Sequence, residues 1–260
     1  MLISFQRNVR HLLGCVLLVI APASIAAPLA TPVHSARQLI VVTTPNWDAT
    51  NAHLQAFERT DSGWKAHDAG FDVSLGRSGS AWGIGVHPQQ TDGPQKREGD
   101  GRSPAGIFAI GPAFGYAEHI TSAMPYQPML ASSYCMDVPA SPLYNQIVDA
   151  AKVGEAAVKG STEAMRLDLH NNGDRRYREG FVIEHNPAAV PGQGSCIFAH
   201  LWRQPGEATA GCTAMEPERM SALLEWLSPE AKPLFVLLPD AEYQRLQRSW
   251  DLPALPETAR

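Results

Sequence analysis

The 260-residue chain has little charge for its length. Only 18% of its residues are Asp, Glu, Lys or Arg, and the formal net charge is −5. A nucleic-acid partner needs concentrated Lys and Arg, so this slightly acidic chain argues against one. The 44% hydrophobic content, with 21 Gly and 21 Pro, is typical of globular proteins and argues against a coiled coil, a disordered chain or a multi-span membrane protein.

A run long enough to cross a membrane is also missing at the N-terminus. The uncharged segment Leu12–Ala27 has 16 residues, whereas a spanning helix needs about 20. Arg7 and Arg10 precede this segment, and small residues end it. The pattern predicts a secretory signal peptide over residues 1–26, cleaved after Ala26. A retained membrane anchor is the alternative.

Cysteine is scarce as well. The chain has four, a count that first suggests two disulfides. Cys15 lies inside the predicted leader, so the exported protein keeps only Cys135, Cys196 and Cys212. Three cysteines in an oxidising compartment allow one internal disulfide and leave one thiol, which needs an explanation.

The local patterns are mostly those of strands. Helices are predicted at 142–151 and 217–227, with a terminal helix at 241–250. No linker or internal repeat is visible, which favours a single domain over residues 27–260 with helices packed at the edges of a β-rich fold. The predicted strands are rich in apolar or β-branched residues and lie at 38–43, 106–110, 181–184, 195–200 and 233–238, with a strand–turn–strand at 55–67.

One pair of residues combines a base with a nucleophile. His200 ends an apolar strand, and Cys212 follows twelve residues later, after a loop that contains Pro and Gly. An imidazole near a thiol stabilises the thiolate and makes it a nucleophile. The backbone amides of Ala210, Gly211 and Cys212 are candidates for an oxyanion hole. By spacing alone, a packed histidine and a buried cysteine are the alternative.

Two short motifs here resemble the catalytic domain of the L,D-transpeptidase (YkuD-like) family. The first is the apolar strand ending in His200, followed by Thr209-Ala210-Gly211-Cys212. The second is the strand opening Gly101-Arg102-Ser103-Pro104-Ala105-Gly106-Ile107-Phe108. Their order and separation also agree with the family, and the likeness extends over roughly residues 41–239.

This resemblance implies a fold and an activity. The fold would be a β-rich α+β one, a β-sandwich-like mixed sheet with peripheral helices. The enzyme would cross-link peptidoglycan stem peptides: Cys212 attacks the L-centre carbonyl of a donor tetrapeptide, and His200 serves as the base. No cofactor and no metal are expected. Donor and acceptor stem peptides are the expected partners, and a carbapenem is expected to acylate the thiol.

The chain departs from the family around the cysteine. Ala210 replaces the usual histidine, and Thr213-Ala214-Met215 lacks the arginine that usually follows the cysteine. Arg203 or Arg219 could take over the binding of a substrate carboxylate. The chain therefore resembles a divergent branch of the family, and the resemblance makes Trp202, Arg203, Thr213 and His185 the candidate substrate-binding residues.

The remaining candidates each have a structural alternative. Cys135 and Cys196 form a candidate disulfide, with two unpaired buried thiols as the alternative. His185 ends another apolar strand, where a core histidine satisfied by hydrogen bonds is the competing interpretation. His170, His185, Cys196 and His200 lack the short paired spacing of a structural zinc site.

Three functions remain open at this point. The first is an exported L,D-transpeptidase of the periplasm or cell envelope, with a role in cell-wall organisation and cell shape. The second is an L,D-carboxypeptidase or cross-link hydrolase on the same scaffold, with water as the acceptor. The third is a wall-binding module without catalysis, suggested by the altered run after Cys212. The cross-link type and the oligomeric state are not encoded in any pattern found.

Overall fold

A computed structural model describes residues 1–2 and 31–255, and the predicted signal peptide lies almost wholly outside these residues. The part from Thr31 onwards is one compact unit. Within the described part of the chain, no helix is both long enough and apolar enough to cross a membrane.

Strands dominate residues 31–255. They are β1 (Gln38–Thr44), β2 (Asn51–Thr60), β3 (Gly63–Ala66), β4 (Phe71–Ser74), β5 (Ser80–Trp82), β6 (Ser103–Gly115), β7 (Tyr126–Pro128), β8 (Ser133–Cys135), β9 (Ile147–Asp149), β10 (Glu163–Ala164), β11 (Glu179–Ile183), β12 (Phe198–Leu201), β13 (Thr213–Met215) and β14 (Leu234–Pro239). The α-helices are α1 (Ala150–Val153), α2 (Leu167–His170), α3 (Pro217–Trp226) and α4 (Asp240–Leu246). Short 3₁₀ turns lie at Glu155–Val158 and Pro229–Ala231.

Eight of these strands close into a mixed β-barrel. Their order is β1-β14-β6-β11-β12-β13-β4-β2, and β2 pairs back onto β1. The β1–β14 and β12–β13 pairs are parallel, and the other barrel pairs are antiparallel. The β-sandwich-like sheet with peripheral helices expected from the resemblance is therefore wrong. The physical reason is β1, which is buried along its whole length and is hydrogen-bonded at both edges, so no open sheet edge remains there.

The helices are few and short. Within residues 31–255, α3 alone reaches ten residues, and it confirms the helix predicted from Pro217. Proline suits its first turn, and Met220, Leu223 and Leu224 bury one face. The helix predicted at 142–151 is wrong: a turn there leads into β9, because Ile147–Asp149 pair with β8. Only α1 follows that strand.

A second, small sheet lies outside the barrel order. It has three strands in the order β10-β8-β9, all antiparallel. The buried hydrophobic residues likewise form separate clusters, and two of these clusters meet at β12. The main cluster includes Ala199 and Leu201 of β12, whereas Phe198 of the same strand joins a second cluster with Cys135, Cys196 and Cys212. Side chains alternate along a strand, so one face of β12 serves the main core and the other faces the site described next.

Candidate active site

One cavity of about 480 Å³ collects the residues that the two sequence motifs contribute. Cys212, His200, Gly211 and Ala210 line it, and Thr209 joins them. Its opposite wall comes from the small sheet through Glu163 and Ala164. The cavity thus lies where the second face of β12 meets β10.

The parallel pairing of β12 with β13 brings the thiol and the imidazole to this cavity. Ala199 pairs with Thr213 and His200 with Ala214, so Cys212 stands just before β13. The Phe198 N–H donates to Cys212 Sγ over 3.3 Å. Phe198 and His200 point to the same face of their strand, and the thiol and the imidazole line the same cavity.

Hydroxyl groups hold the backbone of Cys212. Thr209 Oγ1 donates to the Cys212 carbonyl at 2.7 Å, and Ser103 Oγ donates to it at 3.2 Å. Ser103 belongs to the upstream motif, so the two motifs meet at this carbonyl. Gly211 has φ +155°, and a Cβ there would lie 3.1 Å from the Arg102 carbonyl oxygen. A glycine next to Cys212 therefore permits the close approach of the two motifs.

The three backbone amides predicted to form an oxyanion hole differ in whether their N–H groups are already hydrogen-bonded. The Gly211 N–H already donates to Thr209 Oγ1 at 3.0 Å. An oxyanion would have to replace that bond. Ala210 and Cys212 therefore stay the stronger predicted donors.

The His200 ring has a defined tautomer. Its Nδ1 lies 2.7 Å from the Leu201 carbonyl oxygen, which can only accept a hydrogen bond, so Nδ1 carries the proton and Nε2 is left with a lone pair. Burial lowers the pKa of His200 to about 4. The imidazole is consequently neutral, and Nε2 is able to take up a proton.

The thiol is neutral too. Burial is the main cause that raises the pKa of Cys212 to about 12, and the charge of Glu163 adds to it, while the hydrogen bond from Phe198 opposes the shift. Because the thiol holds its proton so strongly and the imidazole binds one so weakly, the resting pair is a thiol and an imidazole rather than two ions.

Three basic side chains at the cavity were missed by the sequence analysis. Arg77, Lys96 and Arg176 all line it. Lys96 is paired with Asp100 at 2.6 Å, and Arg176 with Asp174 at 2.7 Å. Arg176 could have been found from the sequence. It precedes the predicted strand 181–184, and antiparallel pairing of that strand with the predicted strand 195–200 places Arg176 beside Leu201. In the structure the Leu201 N–H donates to the Arg176 carbonyl oxygen at 2.9 Å.

Acidic and phenolic groups of the cavity were missed as well. Glu163, Glu98 and Tyr177 line it. The Tyr177 hydroxyl donates to Glu163, and the Tyr144 hydroxyl donates to Glu98. Glu163 comes from β10, a two-residue strand without any sequence pattern, so no signal could have found it.

None of the four predicted substrate-binding residues lines the cavity. Trp202 Nε1 donates to Ser74 Oγ at 2.8 Å, and its side chain lines a different depression. Arg203 is paired with Glu207 on the surface. Thr213 is buried in β13.

Arg219 does not replace the missing arginine either. Its guanidinium lies over the Phe71 ring at 5.1 Å, away from the cavity-lining residues. Of the arginines in the described chain, Arg77 and Arg176 are the ones that line the cavity.

His185 has a structural environment. Its Nδ1 accepts the Ile84 N–H at 3.2 Å, and its Nε2 donates to the Gln193 carbonyl oxygen at 2.9 Å. Burial lowers its pKa to about 4. Since both ring nitrogens bond to backbone and the residue does not line the cavity, His185 joins two loops and is not in a position to contact a substrate there.

The cysteines divide into a bonded pair and a single thiol. Cys135 and Cys196 form a disulfide, and Cys212 is the free cysteine of the described residues. The Cys212 thiol lies 3.6 Å from the Cys196 carbonyl oxygen, to which it donates. The disulfide joins β8 of the small sheet to the segment leading into β12, and so ties the two walls of the cavity together.

Residues 31–255 contain no cluster of three or more His, Cys, Asp or Glu side chains arranged to bind a metal ion.

No protein-family model matches the sequence, and no curated protein matches it in sequence. Among solved structures, the chain is similar to the helical cell shape determining protein Pgp2 from Campylobacter jejuni. The TM-score is 0.35 and the identity 11%, with 78% of this chain and 48% of Pgp2 covered. The chain thus spans about half of that protein, and a TM-score at this level does not establish a shared fold.

Proposed function

We propose that this protein is an exported cysteine L,D-transpeptidase of the cell envelope that acts on peptidoglycan stem peptides. One observation carries the proposal: Cys212, the free thiol of the described residues, faces one cavity together with His200. The disulfide between Cys135 and Cys196 suits an oxidising compartment such as the periplasm. That agrees with the predicted leader over residues 1–26.

The first half-reaction transfers an acyl group to the enzyme. Cys212 Sγ attacks the L-centre carbonyl carbon of a donor tetrapeptide, and the thiol proton passes to His200 Nε2. The carbonyl oxygen becomes an oxyanion, which the Ala210 and Cys212 amides hold. The intermediate collapses with loss of the terminal D-Ala, whose amine takes the proton from His200. A thioester on Cys212 remains.

The second half-reaction releases the product. The amine of an acceptor stem attacks the thioester, and His200 accepts its proton. The carbon–sulfur bond breaks, and the thiolate regains the proton from His200. With water in place of the amine, the same steps produce a trimmed stem peptide, which is the hydrolase on this scaffold.

The neutral resting pair determines how the first step must run. With the thiol pKa near 12 and the imidazole pKa near 4, a preformed ion pair is strongly disfavoured. Proton transfer to His200 therefore accompanies the attack of sulfur on the bound carbonyl. Little reactivity towards small electrophiles is expected without substrate, because the thiolate is scarce.

The basic side chains of the cavity are suited to peptide carboxylates. Arg77 has no acidic partner within 4 Å among the described residues, whereas Lys96 and Arg176 are paired with Asp100 and Asp174. A guanidinium forms two parallel hydrogen bonds with a carboxylate. We expect Arg77 to take the role of the arginine that the resemblance expects after the cysteine.

Product analysis with muropeptides tests the proposal. Purified protein is incubated with tetrapeptide-containing muropeptides, and the products are separated and weighed by mass spectrometry. Cross-linked dimers support the transpeptidase, and trimmed monomers identify the hydrolase. Carbapenem exposure of the intact protein should add one covalent adduct.

The Cys212→Ala variant is the control. It should form neither product nor adduct. If the wild type also forms neither, and wall pull-down is equal for both proteins, the site binds the cell wall without catalysis and the enzyme proposal is wrong.

A further inference from the structure

Glu163 lines the same cavity as the thiol and belongs to the small sheet. It lies in β10, pairs with Cys135 in the small sheet, and lines the cavity together with Cys212. Its carboxylate accepts a hydrogen bond from the Tyr177 hydroxyl. The mechanism above does not use this carboxylate, although its charge acts on the nucleophile.

Tyr177 connects Glu163 to the base. Its buried ring meets the His200 ring edge-on, with centroids 5.3 Å apart and an interplanar angle of 69°. It packs against Phe198 in the same way, at 5.6 Å and 85°. Phe198 in turn donates its backbone N–H to Cys212 Sγ. The carboxylate that holds the Tyr177 hydroxyl therefore fixes the ring that packs against His200 and against Phe198, the residue whose N–H binds the thiol.

Apart from Arg77, the other charged groups of the cavity are bonded to other partners. Asp137 is bonded to the Thr162 backbone N–H and hydroxyl, and Glu98 to Tyr144 and Ser195. Arg176 is paired with Asp174. His170 on α2 and Lys96 also line the cavity, and each is bonded to a backbone carbonyl.

The charge of Glu163 changes near neutral pH. Burial is the main cause that raises its pKa to about 7, and Asp137 and Glu98 add to the shift. The hydrogen bond from Tyr177 and the charge of Arg176 oppose it. The negative charge opposite the thiol is therefore largely absent below pH 7 and present above it.

We propose that Glu163 is a positioning residue of this site: through the Tyr177 hydroxyl it holds the ring that packs against His200, and its charge tunes the reactivity of the Cys212 thiol across the cavity. Its part in acyl transfer rests on the function proposed above. Its effect on the thiol does not, because that effect is measured with a small alkylating reagent.

The proposal predicts a pH profile of an unusual shape. For a lone thiol far below its pKa, the logarithm of the alkylation rate rises by one per pH unit. In the wild type, ionisation of Glu163 raises the thiol pKa as the pH passes through 7. The rise should therefore flatten around pH 7 and resume its full slope above it.

The experiment measures alkylation of the full chain by iodoacetamide between pH 5.5 and 9. The adduct on Cys212 is counted by peptide mass spectrometry, which separates it from an adduct on Cys15. Glu163→Gln keeps a hydrogen-bond acceptor for Tyr177 and removes the charge. We expect a straight profile and, at pH 8, a rate about three- to tenfold above the wild type, which corresponds to half to one pK unit. Asp137→Asn removes a carboxylate from the same cavity and should keep the flattening, moved to lower pH because the Asp137 charge helps to raise the pKa of Glu163.

Tyr177→Phe keeps the ring and removes the hydroxyl. Since the Tyr177 hydrogen bond lowers the pKa of Glu163, the flattening should move to higher pH. This variant also carries the test if Glu163→Gln does not fold. A straight wild-type profile, or equal acceleration by Glu163→Gln and Asp137→Asn, would overturn the proposal. A flattened profile in a protein that converts no muropeptide would leave it standing and reject the proposed function instead.

Discussion

Two buried histidines, His200 and His185, occupy similar positions and have different surroundings. Their residues are 3% and 2% exposed, and each lies at or just beyond a strand end. Burial lowers the pKa of both to about 4. His185 uses both ring nitrogens in hydrogen bonds to backbone groups. His200 uses only Nδ1 in the described chain, and it lines the cavity that contains the free thiol.

The difference shows that burial and pKa do not identify a catalytic base. Burial disfavours the protonated, charged form of both rings to a similar extent. What separates them is an uncommitted ring nitrogen on the histidine that lines the same cavity as the free thiol. His185 cannot accept a proton without losing the bond from the Ile84 N–H, whereas His200 Nε2 can. The comparison leads to four predictions.

The first prediction concerns His200 and has the largest effect. In His200→Gln, the amide cannot take the thiol proton, so acylation of Cys212 should fall by roughly 10²- to 10⁴-fold. The adduct with a carbapenem, followed by mass spectrometry over time, measures the rate. The melting temperature should stay close to that of the wild type. Acylation at more than about a tenth of the wild-type rate would place the base elsewhere.

The second prediction concerns acid. Both histidines have folded-state pKa values near 4, below the ordinary 6.5. Between these two pH values, the unfolded chain therefore binds protons at these residues that the folded chain does not bind. Their contribution to stability is fully present above pH 6.5 and is lost as the pH falls towards 4. At pH 5, each histidine should lower the free energy of unfolding by about 2 kcal/mol relative to its value above pH 6.5.

Glu163 acts in the opposite direction. Its pKa is raised to about 7, so its contribution is present below pH 4.5 and lost as the pH rises through 7. Urea unfolding at pH 8 and pH 5 separates these effects, because His185→Gln and His200→Gln should each remove their own share of the acid loss. An unchanged acid loss in both variants would contradict the pKa directions.

The third prediction concerns the stability that His185 provides. A glutamine can replace one of its two hydrogen bonds, and the other backbone group is then left unsatisfied. The free energy of unfolding at pH 8 should fall by about 1–3 kcal/mol, as measured with urea. Activity should fall only as far as the folded fraction falls.

His53→Gln is the matched control for that change. His53 is more exposed and lies 3.3 Å from an exposed Asp72 carboxylate, so the change should be within about 0.5 kcal/mol. If His185→Gln slowed acylation while the protein stayed fully folded, His185 would belong to the site after all.

Much of this site was predictable from short-range patterns. The strand that ends near His200, the glycine beside Cys212 and the odd count of cysteines outside the predicted leader all pointed to the same thiol. The helix from Pro217 followed from the i, i+3, i+4 spacing of its buried residues. These features depend on residues close together in the chain, whose periodicity is visible in the sequence.

The rest depended on pairing between distant segments. The closure of the barrel is the pairing of β1 with both β2 and β14, and β14 lies nearly 200 residues away. The wall with Glu163 exists because β10 pairs with β8, and neither strand has a recognisable pattern. Trp202 was expected at the site as a substrate-binding residue, and Arg203 as a replacement for the arginine that the family has after its cysteine. However, the strand ends at Leu201, and the chain then turns away from the cavity.

The fourth prediction, with the smallest effect, extends the comparison from histidines to arginines. Arg203 is committed to Glu207 on the surface, as His185 is committed to backbone, whereas Arg77 faces the cavity, as His200 does. Arg203→Ala should change the KM for a tetrapeptide muropeptide by less than about twofold, since exposed ion pairs contribute little. Arg77→Ala removes a charge-assisted contact and should raise KM by about tenfold or more. A larger effect of Arg203→Ala than of Arg77→Ala would show that substrate crosses the surface beside Trp202. It would also show that a side chain without a partner inside the protein is not what identifies the substrate-binding residues here.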